Sequence, residues 1–233
     1  MIDIMKHYGK KFQVIKELIK KNDPLIIEIG AHFGEDTLRL LETFPNAEIH
    51  CFEPDSRNHA IFEKLVNNNR VKLYNCALSD KGGEAKFFRS YSDEKIDNIP
   101  EKYNFIPLNE YKEGKLHGSG ASSLKRGYPK TLSESYYVTI ERFDIWHSQN
   151  NIGGIDFVWI DVQGAERDVI NGMGVCIKHI SYIWMEYGET EYIDAMTRKE
   201  SINLLEDKNF KLLNDLSSSE TKGDLVFQND NIS

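Results

Sequence analysis

Residues 25–37, LIIEIGAHFGEDT, constrain the fold more than any other stretch of this chain. Leu25 to Ile29, apolar except for Glu28, reads as a buried parallel strand. It runs into a turn bearing Gly30 and Gly34, and Glu35, Asp36 and Thr37 then open a helix. Gly30 permits a sharp turn and a ligand close to the backbone, and Gly34 removes a side chain where helix and strand meet. The spacing is G-x-H-x-G, with His32 where a dinucleotide fingerprint has its second glycine, so a pyrophosphate finds the approach blocked. Glu35 and Asp36 suit the helix dipole themselves and repel a phosphate.

A second strand, EIHCFEPD at 48–55, reaches Glu53 about twenty residues after the turn, where doubly wound folds place the carboxylate that holds a ribose. Further strands are expected at Val71–Cys76, near 84–89, at Tyr136–Ile140, at 155–161 ending on Asp161, at Ser181–Met185 closing on Glu186, at Phe210–Leu213 and at Gly223–Phe227. Helices are expected over 4–21, with Met5, Tyr8, Phe12, Ile15, Leu18 and Ile19 inward, and over 35–44, 55–69, 143–150, the stretch after Glu166, and 197–208. This alternation makes an α/β, doubly wound, mostly parallel sheet with a C-terminal antiparallel hairpin. One domain spans 1–233: an N-terminal helix (1–23), a cofactor-binding half (24–89), an insertion (90–133) and the second half of the sheet (134–233). The insertion mixes tyrosines with Gly, Pro and Lys and includes the hydroxyl-rich GSGASSL at 118–124; it is either a lid over a ligand or a linker, and 92–117 is either ordered or a disordered excursion.

The formal charge of −8 argues against nucleic-acid and anionic-membrane partners. The N-terminus lacks a signal-peptide core and no apolar run is long enough to span a bilayer, so a cytoplasmic location is expected. Cys51, Cys76 and Cys176 form no CxxC pair and read as small buried hydrophobes; the seven histidines have no metal spacing. Asp80, at a strand exit, either accepts from an adenine amino group or begins the turn to Gly82. Ala77 and Leu78 suit an apolar floor under a flat base.

IEIGAHFGEDT (27–37), CFEPD (51–55), NCALSDKGG (75–83), SSL (122–124), VTIERFD (138–144), VWIDVQGAERDVINGM (158–173) and GDLVF (223–227) together resemble the FkbM family of S-adenosylmethionine-dependent methyltransferases, in order over about 24–228. The resemblance implies the Rossmann-like class I fold, seven strands with the last antiparallel, and O-methylation of a sugar, glycan or other small hydroxylated metabolite. It implies a cofactor site of Glu28, Gly30, Ala31, His32, Gly34, Thr37, Glu53, Pro54, Asp55, Ala77, Leu78, Asp80 and Asp161, in which the Gly30–Gly34 turn would cradle the methionine part, Glu53 the ribose and the Ala77–Asp80 segment the adenine. Ser122, Ser123, Gln163 and Glu166 would face the acceptor. The chain departs from the family pattern at His32 (usually Asn), Trp159 (usually Lys) and Gln163 (usually Glu).

A methyl acceptor hydroxyl must lose its proton, and Asp161 is the first candidate base, with His32 and Glu186 behind it. Asp161 also fits a helix N-cap, and Glu186 a structural strand end. Asp161, Glu166 and Glu186 are the weak possibility for a divalent metal, and none is expected. The competing readings are a non-catalytic S-adenosylmethionine-binding or protein-interaction module and, less favoured, an NAD-dependent oxidoreductase.

Overall fold

The structure is a computed structural model that describes residues 4–91, 106, 111–112, 116–127 and 132–232, with side chains described from residue 11 and, after the insertion, from 134. Met5 and Tyr8, most of 92–117, and Tyr103, Phe105 and Tyr128 of the tyrosine-rich stretch lie outside the described residues or side chains.

Seven strands form one sheet in the order β3-β2-β1-β7-β8-β10-β9. They are β1 (Leu25–Ile29), β2 (Glu48–Phe52), β3 (Val71–Tyr74), β7 (Ile155–Ile160), β8 (Ile180–Gly188), β9 (Phe210–Asp215) and β10 (Lys222–Asn229). β10 is antiparallel to both β8 and β9; the pairs β1–β2, β2–β3, β1–β7 and β7–β8 are parallel. Among the described residues six α-helices flank the sheet: α1 (Ile4–Leu18), α2 (Glu35–Thr43), α3 (Ser56–Leu65), α4 (Phe143–Gln149), α5 (Glu166–Gly172) and α6 (Arg198–Glu206).

Alternate residues of the central strands go to opposite faces, as the two-residue period demands. Ile26, Phe157 and Trp159 join Phe12 and Ile15 of α1, Leu40 of α2 and Phe62 of α3. Ile27, Ile29, Val158 and Ile160 join Phe143 and Trp146 of α4, Val169 and Ile170 of α5 and Leu205 of α6. Both sides of β1 and β7 are covered, so their sequences read as nearly unbroken apolar runs.

One feature was absent from the sequence reading. β4 (Ala77–Ser79), β5 (Gly83–Tyr91) and β6 (Leu132–Arg142) form a separate three-stranded sheet, ordered β4-β6-β5. The expected strand Val71–Cys76 accordingly stops at Tyr74, and a new one begins at Ala77 to pair with β6. Gly172, at the end of α5, lets this sheet sit against the helix: a Cβ there would lie 2.0 Å from the Ser79 carbonyl oxygen. Several expected boundaries also move. Helix α3 covers Ser56–Leu65 rather than 55–69, and β8 runs on to Gly188, so Glu186 lies within a strand rather than at its end.

Candidate active site

Between β1 and β7 the strand order reverses, and ligands of open α/β sheets bind outside the carboxyl ends of strands at such a switch point. The two ends are stitched together where the Asp161 N–H donates to the Ile29 carbonyl at 2.9 Å. Gly30 has φ +92, and a Cβ on it would stand 1.8 Å from the Asp161 carbonyl oxygen. The neighbouring chain at Asp161 therefore requires a glycine here, and Gly30 also lines the cavity described next. Gly34 likewise makes room for Phe62 and Val66 at the third helix, not for a strand.

A cavity of about 1120 Å³ opens above this junction. That is at or beyond the roughly 300–1,000 Å³ of an ordinary small-molecule pocket, enough for two small molecules. Of the residues anticipated from sequence, Glu28, Gly30, Ala31, His32, Glu53, Pro54, Ala77, Leu78, Ser122, Ser123, Asp161 and Gln163 line it.

Glu53 is buried, and its two oxygens are each fixed by a backbone donor: His32 N–H to Oε2 at 2.9 Å and Asp55 N–H to Oε1 at 2.7 Å. Burial pushes its carboxyl up to about 7, opposed by His32. Two aimed oxygens with spare lone pairs suit a vicinal diol. His32 makes its backbone contact from a left-handed conformation, φ 49. Its ring lies between Glu35 Oε2 (3.3 Å) and Ser119 Oγ (2.8 Å). Glu28 is held by Thr37, whose hydroxyl donates to Oε2 at 2.5 Å; burial and the Asp36 charge push Glu28 up to about 8. Ala77, Leu78 and Phe87 supply an apolar wall.

At the other end, Gln163 Nε2 donates to Asp161 Oδ1 at 2.5 Å and to Glu186 Oε2 at 3.0 Å, while Tyr192 O–H donates to Gln163 Oε1 at 2.8 Å. Asp161 and Glu186 share the Gln163 amide as donor, and their charges interact closely enough that they titrate as a pair. Burial raises both carboxyls above their ordinary values; the Asp161 charge raises Glu186 further, and Lys222, 3.6 Å from Glu186 Oε1, opposes it. Asp161 faces the cavity and Glu186 stands behind it.

Six anticipated residues do not line the cavity. Gly34 and Thr37 pack beneath it. Asp55 caps α3, accepting from Arg57 N–H at 3.0 Å, and pairs with the guanidinium groups of Arg57 and Arg89. Asp80 is exposed, and its Oδ1 accepts from Ser79 Oγ at 3.3 Å. Glu166 accepts the Gly164 N–H at 3.0 Å, and burial pushes its carboxyl up to about 7. Glu186 reaches the site only through Asp161 and Gln163. Among the described residues, no three His, Cys, Asp or Glu side chains form a metal-holding group. Nor is any helix long and apolar enough to cross a membrane.

Tyr192 and Phe87 escaped the sequence reading. Residues 116–127 form a strap across the cavity mouth, which pairs Ser123 with Phe88 and donates from Ser123 Oγ to the Val162 carbonyl at 3.1 Å. GSGASSL is the part of the insertion that the sequence singled out, and it is this strap.

The chain matches the Methyltransferase FkbM domain over residues 28–212. It is 33% identical over 196 residues to the 2-O-methyltransferase NoeI of Sinorhizobium fredii (strain NBRC 101917 / NGR234), covering 80% of this chain and 72% of that protein. Among solved structures it is similar to Methyltransferase FkbM from Methylobacillus flagellatus KT, with TM-score 0.55 and 10% identity; the match covers 91% of this chain but 45% of that one. It is also similar to Aeropyrum pernix fibrillarin with natively bound S-adenosyl-L-methionine, with TM-score 0.50 and 11% identity, covering 94% and 74%. These two likenesses speak to the fold. The sequence match decides the family: this chain belongs to the FkbM methyltransferases, enzymes that use S-adenosylmethionine.

Proposed function

We propose that the protein moves a methyl group from S-adenosylmethionine to a hydroxyl oxygen of a sugar, glycan or other small hydroxylated metabolite. The observation that carries this reading is the position of Asp161: a half-buried carboxylate on the cavity wall, whose own backbone N–H is bonded to the strand that carries the glycine turn. The relative named as a 2-O-methyltransferase supports an oxygen acceptor.

The residues present fit the donor. Glu53, with its oxygens aimed by His32 and Asp55, would hold the ribose hydroxyls. The turn 30–32 with Glu28 would hold the methionine part, and Ala77, Leu78 and Phe87 the adenine. When bound, S-adenosylmethionine supplies an already activated methyl group. What remains for the protein is to align the acceptor oxygen, exclude water and take the hydroxyl proton; orientation supplies about 7–11 kcal/mol, and base help about 10²- to 10⁴-fold in rate. Asp161 takes that proton, and its partner Glu186 already carries one. Ser119, Ser122 and Ser123 on the strap close the cavity over the acceptor.

The test is mass spectrometry of reactions with S-adenosylmethionine and a panel of sugars, nucleotide sugars and glycans. One added methyl together with S-adenosylhomocysteine supports the reading. Calorimetry that detects no binding of S-adenosylmethionine overturns it, and binding of NAD instead favours an oxidoreductase.

A further inference from the structure

Gln163 sits at the centre of a polar cluster in which every bond has a fixed direction. Its amide nitrogen donates to two carboxylates, Asp161 (2.5 Å) and Glu186 (3.0 Å), so its oxygen must point away from them, and there it meets the Tyr192 hydroxyl at 2.8 Å. A carboxylate, having no N–H, could not occupy this place between two others without taking up a proton. Gln163 holds a left-handed conformation, φ 56, followed by Gly164 at φ 95. That turn brings Tyr192 in: a Cβ on Gly164 would lie 2.6 Å from Tyr192 Cβ.

Tyr192 is itself anchored independently of its hydroxyl. Its backbone bridges to Gly127, Ile193 N–H donates to the Arg126 carbonyl at 3.0 Å, and its ring is buried. Its phenol, raised by burial, stays protonated and serves as a donor. The second oxygen within its reach, Ala121 O at 3.0 Å, belongs to the strap, which Ser123 holds separately through Phe88 and Val162.

We propose that Tyr192 is a positioning residue for the transfer reaction, acting through Gln163: it locks the side-chain amide with its nitrogen between Asp161 and Glu186, and so holds Asp161 ionised and aimed into the cavity. The proposal rests on the assignment of Asp161 as base. The other charged groups around Asp161 are Glu166 and Asp224, which work against its ionisation, and Lys11 and Lys222, which favour it. None of them contacts Gln163 in place of Tyr192. Lys11 pairs with Asp224 at 2.9 Å and Lys222 with Glu191 at 2.9 Å.

The experiment needs no acceptor. In the full-length protein with carboxyl-¹³C aspartate, the Asp161 resonance, assigned through Asp161→Asn, is titrated by NMR in wild type, Tyr192→Phe, Gln163→Met and the double variant. Tyr192→Phe is expected to raise the Asp161 titration midpoint by about one pH unit. Gln163→Met should raise it at least as much, and the double variant no further than Gln163→Met alone, because the tyrosine has no other route to Asp161. A wild-type midpoint in Tyr192→Phe, or shifts that simply add, overturns the proposal. If Gln163→Met does not fold, Tyr192→Phe, which keeps the packed ring, decides by itself. Calorimetry with S-adenosylmethionine on the same samples is expected to give wild-type affinity for Tyr192→Phe. If wild type itself fails to bind, the methyl-transfer reading falls while the titration result stands.

Discussion

The His32 N–H donates to Glu53 Oε2 at 2.9 Å, across 21 residues of chain, and this bond ties the glycine turn after β1 to the acid after β2. His32 makes it from a left-handed conformation, φ 49. With Asp55 N–H on the other oxygen, the carboxylate is aimed before any ligand arrives. Removing it should weaken the donor directly. Glu53→Ala is expected to reduce S-adenosylmethionine affinity about 10- to 100-fold by calorimetry, since bonds to a charged acceptor are worth about 1.5–3 kcal/mol each.

The same bond separates the backbone of His32 from its ring. Asparagine tolerates the left-handed region, whereas a β-branched residue does not. His32→Asn should therefore keep S-adenosylmethionine affinity within about 5-fold of wild type, while His32→Val should lose at least about 10-fold, with strain of about 1–3 kcal/mol at that position. Equal losses in both variants would assign the binding role to the imidazole.

Gly30→Ala tests the switch point itself. Its Cβ would collide with the Asp161 carbonyl, which is backbone and bonded into the sheet, at a φ of +92. Left-handed strain and overpacking each cost about 1–3 kcal/mol, so urea unfolding should show a loss of about 2–6 kcal/mol. A ligand-facing role alone would leave the free protein's stability unchanged.

Stability should also fall as pH rises through the neutral range. Buried Glu28, Glu53 and Glu166 are raised to about 8, 7 and 7 from 4.5, so the folded state binds more protons than the unfolded one between those values. The contribution of each protonated carboxyl is complete below about 4.5 and is lost as pH climbs through its folded value. Thermal melts of the free protein should show Tm decreasing from about pH 5 to 8.5, and Glu28→Gln should flatten that slope. A Tm that rises over this interval would contradict the burial of these groups.

Much of this molecule is legible locally. The run Leu25–Ile29, the glycine turn, the strand ending at Glu53 and the strand ending at Asp161 announce themselves because a strand covered on both faces must be apolar along its length. Helix α1, which ends at Leu18 rather than 21, shows its inward face through Phe12 and Ile15, and Ile19 just past its end is buried with them as the spacing requires. Strand-end acids beside glycine turns are equally readable, and Glu53 and Asp161 both line the cavity.

Which of several such acids faces a ligand is another matter. Asp55, Asp80 and Glu166 carry the same local signature as Glu53 and Asp161. Arg57 and Arg89 take up the first, the second stays exposed, and the third turns back to the Gly164 N–H. The sequence by itself determined the βαβ alternation, the family and the two acids on the cavity wall, because apolar runs and glycine turns are properties of neighbouring residues. Only the tertiary structure decided that β1 lies beside β7, that β4, β5 and β6 form their own sheet, and that Tyr192 directs the Gln163 amide. Those pairings join segments from 29 to about 130 residues apart. Parallel pairing and side-chain hydrogen bonds over such distances leave no periodic trace in the chain, because they depend on which carbonyl, amide or ring the fold brings within reach.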